Sequence, residues 1–423
     1  MILLAAALAA APLAAPAQGR GNDAERRTWT LFAESAWTGA GEAVENATIT
    51  VRDGKIASIR GGTRAPGDDD ALRGAAVTPG MIDLSARIER GFLSVEQSSE
   101  ITPGARVSDG LDPFDPAWAR VARRGVTSVL VSPPDYNVIG GLGVALKTVG
   151  AEGAPLRTRV LADELVLRAA IGTQPSQRNH PAFGRPEDFY SRRPTTRMGV
   201  EWELRRAFYA AANNGGSQAD GNEGEPAGVE RLRAVLEGKL PLMVQAWTTQ
   251  DIRTAVFLKE EIEREGLGRP RMILDAAAEA WKEPQLLTRS GVWVVLPPFP
   301  LQGRTGDRSF MAWDTAAVLH ALEVPIALSS HGSAAPGEDL AAQAGFAIRG
   351  GLAFEAALAA VTTTPARMLG LEARIGSLEP GKDADLVLWS GRPFEPTSRV
   401  VGVLIDGRLV LDPRASAKPA AAK

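Results

Sequence analysis

Cysteine is absent from all 423 residues, and histidine occurs only three times, at His180, His320 and His331. The first absence excludes disulfides and thiolate metal ligands. The second excludes any site that needs four imidazoles. Excess charge is missing too: 47 basic and 50 acidic side chains leave a net charge of −3. Nothing in that balance attracts nucleic acid or an anionic membrane surface. A membrane span is also lacking from the expected mature chain. The leader Met1–Ala17 is apolar and uncharged, but it falls short of the ~20 residues a bilayer needs, and Pro12 and Pro16 interrupt it. It ends in Ala15-Pro16-Ala17, a small-x-small pattern of the kind signal peptidase reads. Residues 1–17 are therefore expected to be a signal peptide and the mature protein periplasmic or secreted.

What is present is a hydrophobic content of 44% over a length that allows one large and one smaller domain. The first folded stretch is β. Ile49 and Val51 alternate with Thr48 and Thr50, Asp53-Gly54 carries type I′ turn chemistry, and the chain returns through Lys55–Ile59. Ile56 and Ile59 lie three apart, which predicts either a bulge or a strand buried on both faces. The C-terminus repeats the pattern: a turn at Pro380-Gly381, an apolar strand from Leu386, and a hairpin around Asp406-Gly407. Two β-rich ends, residues 18–76 and 376–412, predict a small sandwich assembled from both termini. Residues 413–423 read as a flexible tail.

Between them strands alternate with helices. Apolar strands are predicted at Val126–Val131, Leu240–Val244, Met272–Leu274, Val292–Leu296 and Ile326–Leu328, with helices between. Thr248 and Asp251 form a capping-box pattern at the head of one helix. This spacing predicts parallel βαβ units, and residues 77–375 are long enough for a TIM-like (β/α)8 barrel, giving an α/β fold overall. A doubly wound sheet is disfavoured, because Gly140-Gly141-Leu142-Gly143 lacks the spacing of a phosphate-binding loop.

The run Val77-Thr78-Pro79-Gly80-Met81-Ile82-Asp83-Leu84-Ser85-Ala86-Arg87 resembles the entry strand of the amidohydrolase superfamily, in which Pro-Gly-apolar-Ile-Asp leads into His-x-His. The C-terminal Ile375-Gly376-Ser377-Leu378-Glu379-Pro380-Gly381-Lys382-Asp383-Ala384-Asp385-Leu386-Val387 is the most specific match. Val361–Gly370, Asn137–Gly141 and Pro194–Gly199 are similar to segments of the imidazolonepropionase-like branch. The resemblance covers nearly the whole mature chain and implies the barrel-plus-composite-domain fold and a hydrolase of carbon–nitrogen bonds.

It also implies where metal ligands belong: two His on the first strand, one each on the fifth and sixth, and an Asp on the eighth. Here those positions carry Ser85 and Arg87, then Gln245, then Asp275 or Ala276, and finally His331. A metal raises the acidity of bound water and polarises the scissile carbonyl; an arginine supplies charge but no hydroxide. The sequence therefore predicts no metal, with zinc or another divalent ion only if a rebuilt site from Asp83, Asp275 and His331 still hydrolyses its substrate. Ser85, Arg87, Lys147, Gln245, Trp247 and Asp275 are expected to line a polar, cationic binding pocket, with pairing to a neighbouring carboxylate the other reading of Lys147. His331 is the candidate catalytic group, alone or paired with Ser85 or Ser330. Asp83 reads as a backbone-binding residue at the strand end. The expected partners are a small-molecule ligand and either further copies of the chain or a catalytically intact amidohydrolase relative.

Overall fold

Asp53 and Gly54 both adopt left-handed backbone, with φ of 50° and 78°, as a type I′ turn requires. They connect β2 (Val44–Arg52) to β3 (Lys55–Arg60), and a register shift between Thr50 and Val51 marks the expected bulge. Asp406 and Gly407, with φ of 53° and 70°, repeat the turn between β14 (Val400–Ile405) and β15 (Arg408–Leu411). The computed structural model describes residues 28–63, 67, 70–88, 94–96, 98–176, 193–213, 228–300, 306–333 and 337–416. The leader, His180 and the end of the tail lie outside them.

These hairpins join β1 (Trp29–Ala36), β4 (Leu72–Pro79) and β13 (Leu386–Trp389) in one seven-stranded sheet, ordered β15-β14-β13-β4-β1-β2-β3. The composite β domain expected from both termini is thus built on one continuous sheet. It curls on itself: Ile56 of β3 donates to Lys382 O at 3.0 Å, just ahead of β13, although three strands separate the two in the sheet. The curl encloses Trp29, Leu31, Ile49, Ile56, Leu386 and Leu404. Trp29 Nε1 satisfies its polar edge on Gly407 O at 2.9 Å. β4 runs on to Pro79, pairing it with Leu386, so the composite sheet ends three residues later than the predicted boundary at residue 76. Residues 413–416, expected as tail, form a short helix.

The chain passes from this sheet to the barrel at Gly80. A Cβ there would lie 2.1 Å from Thr127 Oγ1, so no larger residue fits the passage. Eight strands follow: β5 (Met81–Asp83), β6 (Val126–Val131), β7 (Ile139–Lys147), β8 (Val160–Ala170), β9 (Leu242–Gln245), β10 (Met272–Asp275), β11 (Trp293–Leu296) and β12 (Ile326–Leu328). They form one sheet in chain order. Each contributes an inward apolar residue (Ile82, Leu130, Ala145, Val166, Met243, Ile273, Val295, Ala327) to a common interior cluster, the packed layer that fills such barrels.

Strict strand–helix alternation fails at one place. β6 to β7 and β7 to β8 are antiparallel, whereas the other neighbouring pairs are parallel. β7 therefore runs downward, and its C-terminal end meets the bottom of the barrel. The barrel also lacks a backbone ladder between β12 and β5, the two ends of the sheet. Asp83 closes that gap. Its buried carboxylate accepts from Ser329 Oγ at 2.9 Å, Ser330 Oγ at 2.6 Å, Ser330 N at 3.1 Å and Ser85 N at 3.0 Å. This is the backbone-binding role expected of it.

Candidate active site

The mouth lies at the C-terminal ends of the parallel strands, directly above the apolar interior layer. Gln245 ends β9 and Asp275 ends β10, in register with each other. Each stands two residues beyond an interior residue, Met243 and Ile273, so pleating points both side chains inward. Ser85 and Arg87 follow β5, and His331 follows β12.

Two residues that the sequence reading did not select organise these five. Arg168, on β8, is 2% exposed. Its Nε donates to Asp135 Oδ1 at 2.7 Å and its Nη2 to Asp275 Oδ2 at 2.6 Å. Asp135, buried in the β6–β7 connection, also receives Arg87 Nη2, and Gln245 Nε2 at 2.7 Å. Arg87 Nε reaches Ser85 Oγ at 3.3 Å, and Ser85 Oγ in turn donates to Asp275 Oδ2 at 3.2 Å. Two guanidinium groups and two carboxylates thus form one charge-balanced network on the barrel axis.

The signal for Arg168 was present in Val166-Leu167-Arg168-Ala169-Ala170. A permanent cation inside a buried strand must find carboxylate partners or unfold it. Asp135 carried no comparable signal, because Pro133-Pro134-Asp135 reads as an ordinary turn.

The electrostatics follow from this wiring. Burial alone would raise the Asp135 carboxyl, but Arg168 and Arg87 hold it at about 2. For His331, burial reinforced by Arg87 pushes the imidazole down to about 3, so it is neutral at physiological pH. Arg87 Nη2 lies 3.0 Å from His331 Nε2. A guanidinium only donates, so Nε2 accepts and the proton sits on Nδ1. Trp247 meets the imidazole edge-on at 5.2 Å, and the Arg308 guanidinium lies 5.1 Å above the Trp247 ring.

The backbone at three strand ends is held in the left-handed region: φ is 50° at Arg87, 59° at Ala276 and 48° at His331. Non-glycine residues take that conformation at a cost of ~1–3 kcal/mol each, and such residues cluster where side chains must be aimed. Gly332 permits the close approach, since a Cβ there would fall 2.4 Å from Arg87 Cβ.

Of the residues expected at the mouth, the structure brings most together and sends one elsewhere. Ser85, Arg87, Gln245, Asp275, Trp247 and His331 come together. Lys147 does not. Because β7 is antiparallel, Lys147 lies at the opposite end of the barrel, bonded to Asp385, 3.1 Å from Asp383 and 3.8 Å from Asp406. The serine–histidine pairing is not formed either: Ser85 Oγ donates to Asp275, and Ser330 Oγ to Asp83. His320 is exposed on its helix, away from the mouth. Among the described residues no group of three or more His, Asp or Glu is placed to share a metal ion.

Comparison with known proteins agrees with this architecture. Residues 320–411 match the model of an amidohydrolase family. The chain is 29% identical, over 89% of its length, to the amidohydrolase TasK of Hapsidospora irregularis, and it spans about two-fifths of that relative (40%). A 50-residue segment is 50% identical to imidazolonepropionase of Rhizorhabdus wittichii, covering 12% of each chain. Among solved structures, an amidohydrolase from Thermotoga maritima aligns with 90% of this chain and 100% of its own, at 29% identity and a TM-score of 0.74. From its entry strand to its C-terminal clasp, this chain is similar in sequence and fold to the amidohydrolase superfamily.

Proposed function

We propose that this chain is a metal-independent member of its superfamily that has given up hydrolysis and serves as an exported ligand-binding or partner subunit. One observation carries the reading: the Arg87–Asp135–Arg168–Asp275 network lies where the family resemblance puts a metal centre. Both carboxylates already neutralise guanidinium groups. The acceptor nitrogen of His331 faces Arg87. A divalent cation entering here would have to displace two permanent cations from a buried site, against strong repulsion at low dielectric. The residues do not suit a metal.

Among the described residues, no side chain is placed as a free base for metal-free hydrolysis. A neutral imidazole could act as one, but its acceptor nitrogen is occupied and no serine faces it. The partner role draws on a different fact. The Hapsidospora irregularis relative is much longer than this chain, which spans 40% of it, and this leaves room there for a further unit beside the matched region. Export rests on the composition of Met1–Ala17 alone.

The test is elemental analysis of the purified protein together with a hydrolysis panel of N-acyl amino acids, dipeptides and cyclic amides. Substoichiometric metal and no turnover are expected. Stoichiometric zinc or manganese, with turnover abolished by chelation, would overturn the reading. Pull-down from the native envelope then tests the partner role, which recovery of no amidohydrolase relative would exclude.

A further inference from the structure

On the flank of the barrel, remote from the Arg87–Asp275 network, a cleft of about 790 Å³ opens between the helix Leu340–Arg349, the end of the helix Pro116–Arg123 and the loop after β13. Its lining includes Arg123, Arg124, Arg349, Arg392 and Arg399, against two carboxylates, Asp339 and Glu395. Asp339 is already committed, accepting from Ala342 N at 3.1 Å as a helix cap. None of the five arginines pairs with a carboxylate among the described residues. In a chain of net charge −3, five uncompensated guanidinium groups around one concavity make a local positive field.

The floor is aromatic. Trp389 and Phe394 meet edge-on at 5.4 Å, and Phe394 lies 5.8 Å from Phe354. Arg392 lies 4.8 Å above the Phe354 ring, which holds its guanidinium over the cleft. Phe394 is itself held in left-handed backbone, φ 67°, a conformation that a bulky residue adopts only under constraint. Its carbonyl oxygen presses against the helix where only a glycine fits: a Cβ on Gly345 would lie 2.6 Å away.

We propose that this cleft binds a small organic polyanion with a flat, unsaturated body. The body lies against the guanidinium planes and the exposed edges of these largely buried rings, and the guanidinium forks take its carboxylate or phosphate groups bidentately. The volume falls within the ~300–1,000 Å³ of small-molecule sites, which favours a compact ligand over an acidic protein segment. The proposal does not depend on the reading of the barrel mouth, because metal content and turnover report on the mouth alone.

Titration calorimetry of the full chain at low salt tests it with three probes: adenosine triphosphate, a naphthalene dicarboxylate, and adenosine as the uncharged control. At least one anionic probe is expected to bind, with adenosine silent and affinity falling as salt rises; the stronger of the two identifies phosphate or carboxylate as the preferred group. Arg349→Glu combined with Arg392→Glu should weaken binding at least ~10-fold, while Arg157→Glu, exposed and outside the cleft, should leave it unchanged. Should the double charge reversal not fold, Arg349→Gln with Arg392→Gln, checked by thermal melting, should still weaken binding several-fold. Silence from both anionic probes overturns the proposal. So does binding that ignores the Arg349 and Arg392 changes, or capture of polyglutamate with neither small probe bound.

Discussion

Arg168 sits between Leu167 and Ala169 in a strand end buried from solvent, and its charge is tolerated only because Asp135 and Asp275 meet it within 2.7 Å. His331 experiences the same network from the other side, and the consequence can be measured. Its ordinary value is 6.5, and the folded state holds it at about 3. Between those values the unfolded chain binds a proton that the folded chain refuses. The stability from neutral His331 is therefore complete above pH 6.5 and is lost as pH falls toward 3, with a limiting slope of about 1.4 kcal/mol per pH unit. Asp135, held at about 2, adds a loss at lower pH, from its ordinary 3.8 downward. Urea unfolding across this range should show His331→Gln with a slope shallower by about one proton. Equal slopes for variant and parent would show that the imidazole titrates normally. The residue types at the mouth were legible in the sequence, since Ser85, Arg87, Gln245 and Asp275 follow recognisable strand ends. Their wiring was not, because it passes through Asp135, a loop residue with nothing local to mark it.

At the scale of elements, the direction of β7 decides what Lys147 does. Only the seven residues 132–138 link β6 to β7, too few for the dozen or more that a parallel crossover needs. That connection length was the signal for an antiparallel pair. The Gly140–Gly143 run drew attention to glycine spacing instead. Because β7 descends, Lys147 reaches Asp383 and Asp385 of the C-terminal clasp, and Asp383 also binds Lys55 at 2.5 Å and Arg374 at 3.0 Å. The specific run Gly381-Lys382-Asp383-Ala384-Asp385 is thus a joint between barrel and sheet. Burial alone would depress the Lys147 ammonium, but Asp385, Asp383 and Asp406 hold it above its ordinary value. Replacing it strands buried carboxylates, so Lys147→Met should cost about 3–5 kcal/mol in denaturant unfolding. A loss below ~1 kcal/mol, the range of exposed pairs, would show that the joint is solvated.

For the whole molecule, the two termini are interdependent. β13 is the antiparallel neighbour of β4, and β4 delivers the chain to Gly80 and the barrel. A chain ending at residue 375 would leave β4 with an open edge and the apolar face of Trp29, Leu31 and Ile49 uncovered. It would also leave Lys147 without its three carboxylates. Such a truncation is expected to be insoluble or to unfold without a cooperative transition; a soluble, cooperatively melting monomer would show that the barrel folds alone.

The sequence by itself determined the elements and their class. Alternation, Asp-Gly turns and capping residues are local, and they act through a few neighbouring bonds that the chain carries wherever it goes. It also determined, by possessing three histidines, that no four-imidazole centre exists. Tertiary structure alone decided which charges meet. Arg168 and Asp275 are separated by 107 positions, and Lys147 and Asp385 by 238. Strand direction sent one basic residue to the mouth and the other to the joint. Coulomb energy depends on distance in space and on the surrounding dielectric, and both quantities come into being only when the barrel closes.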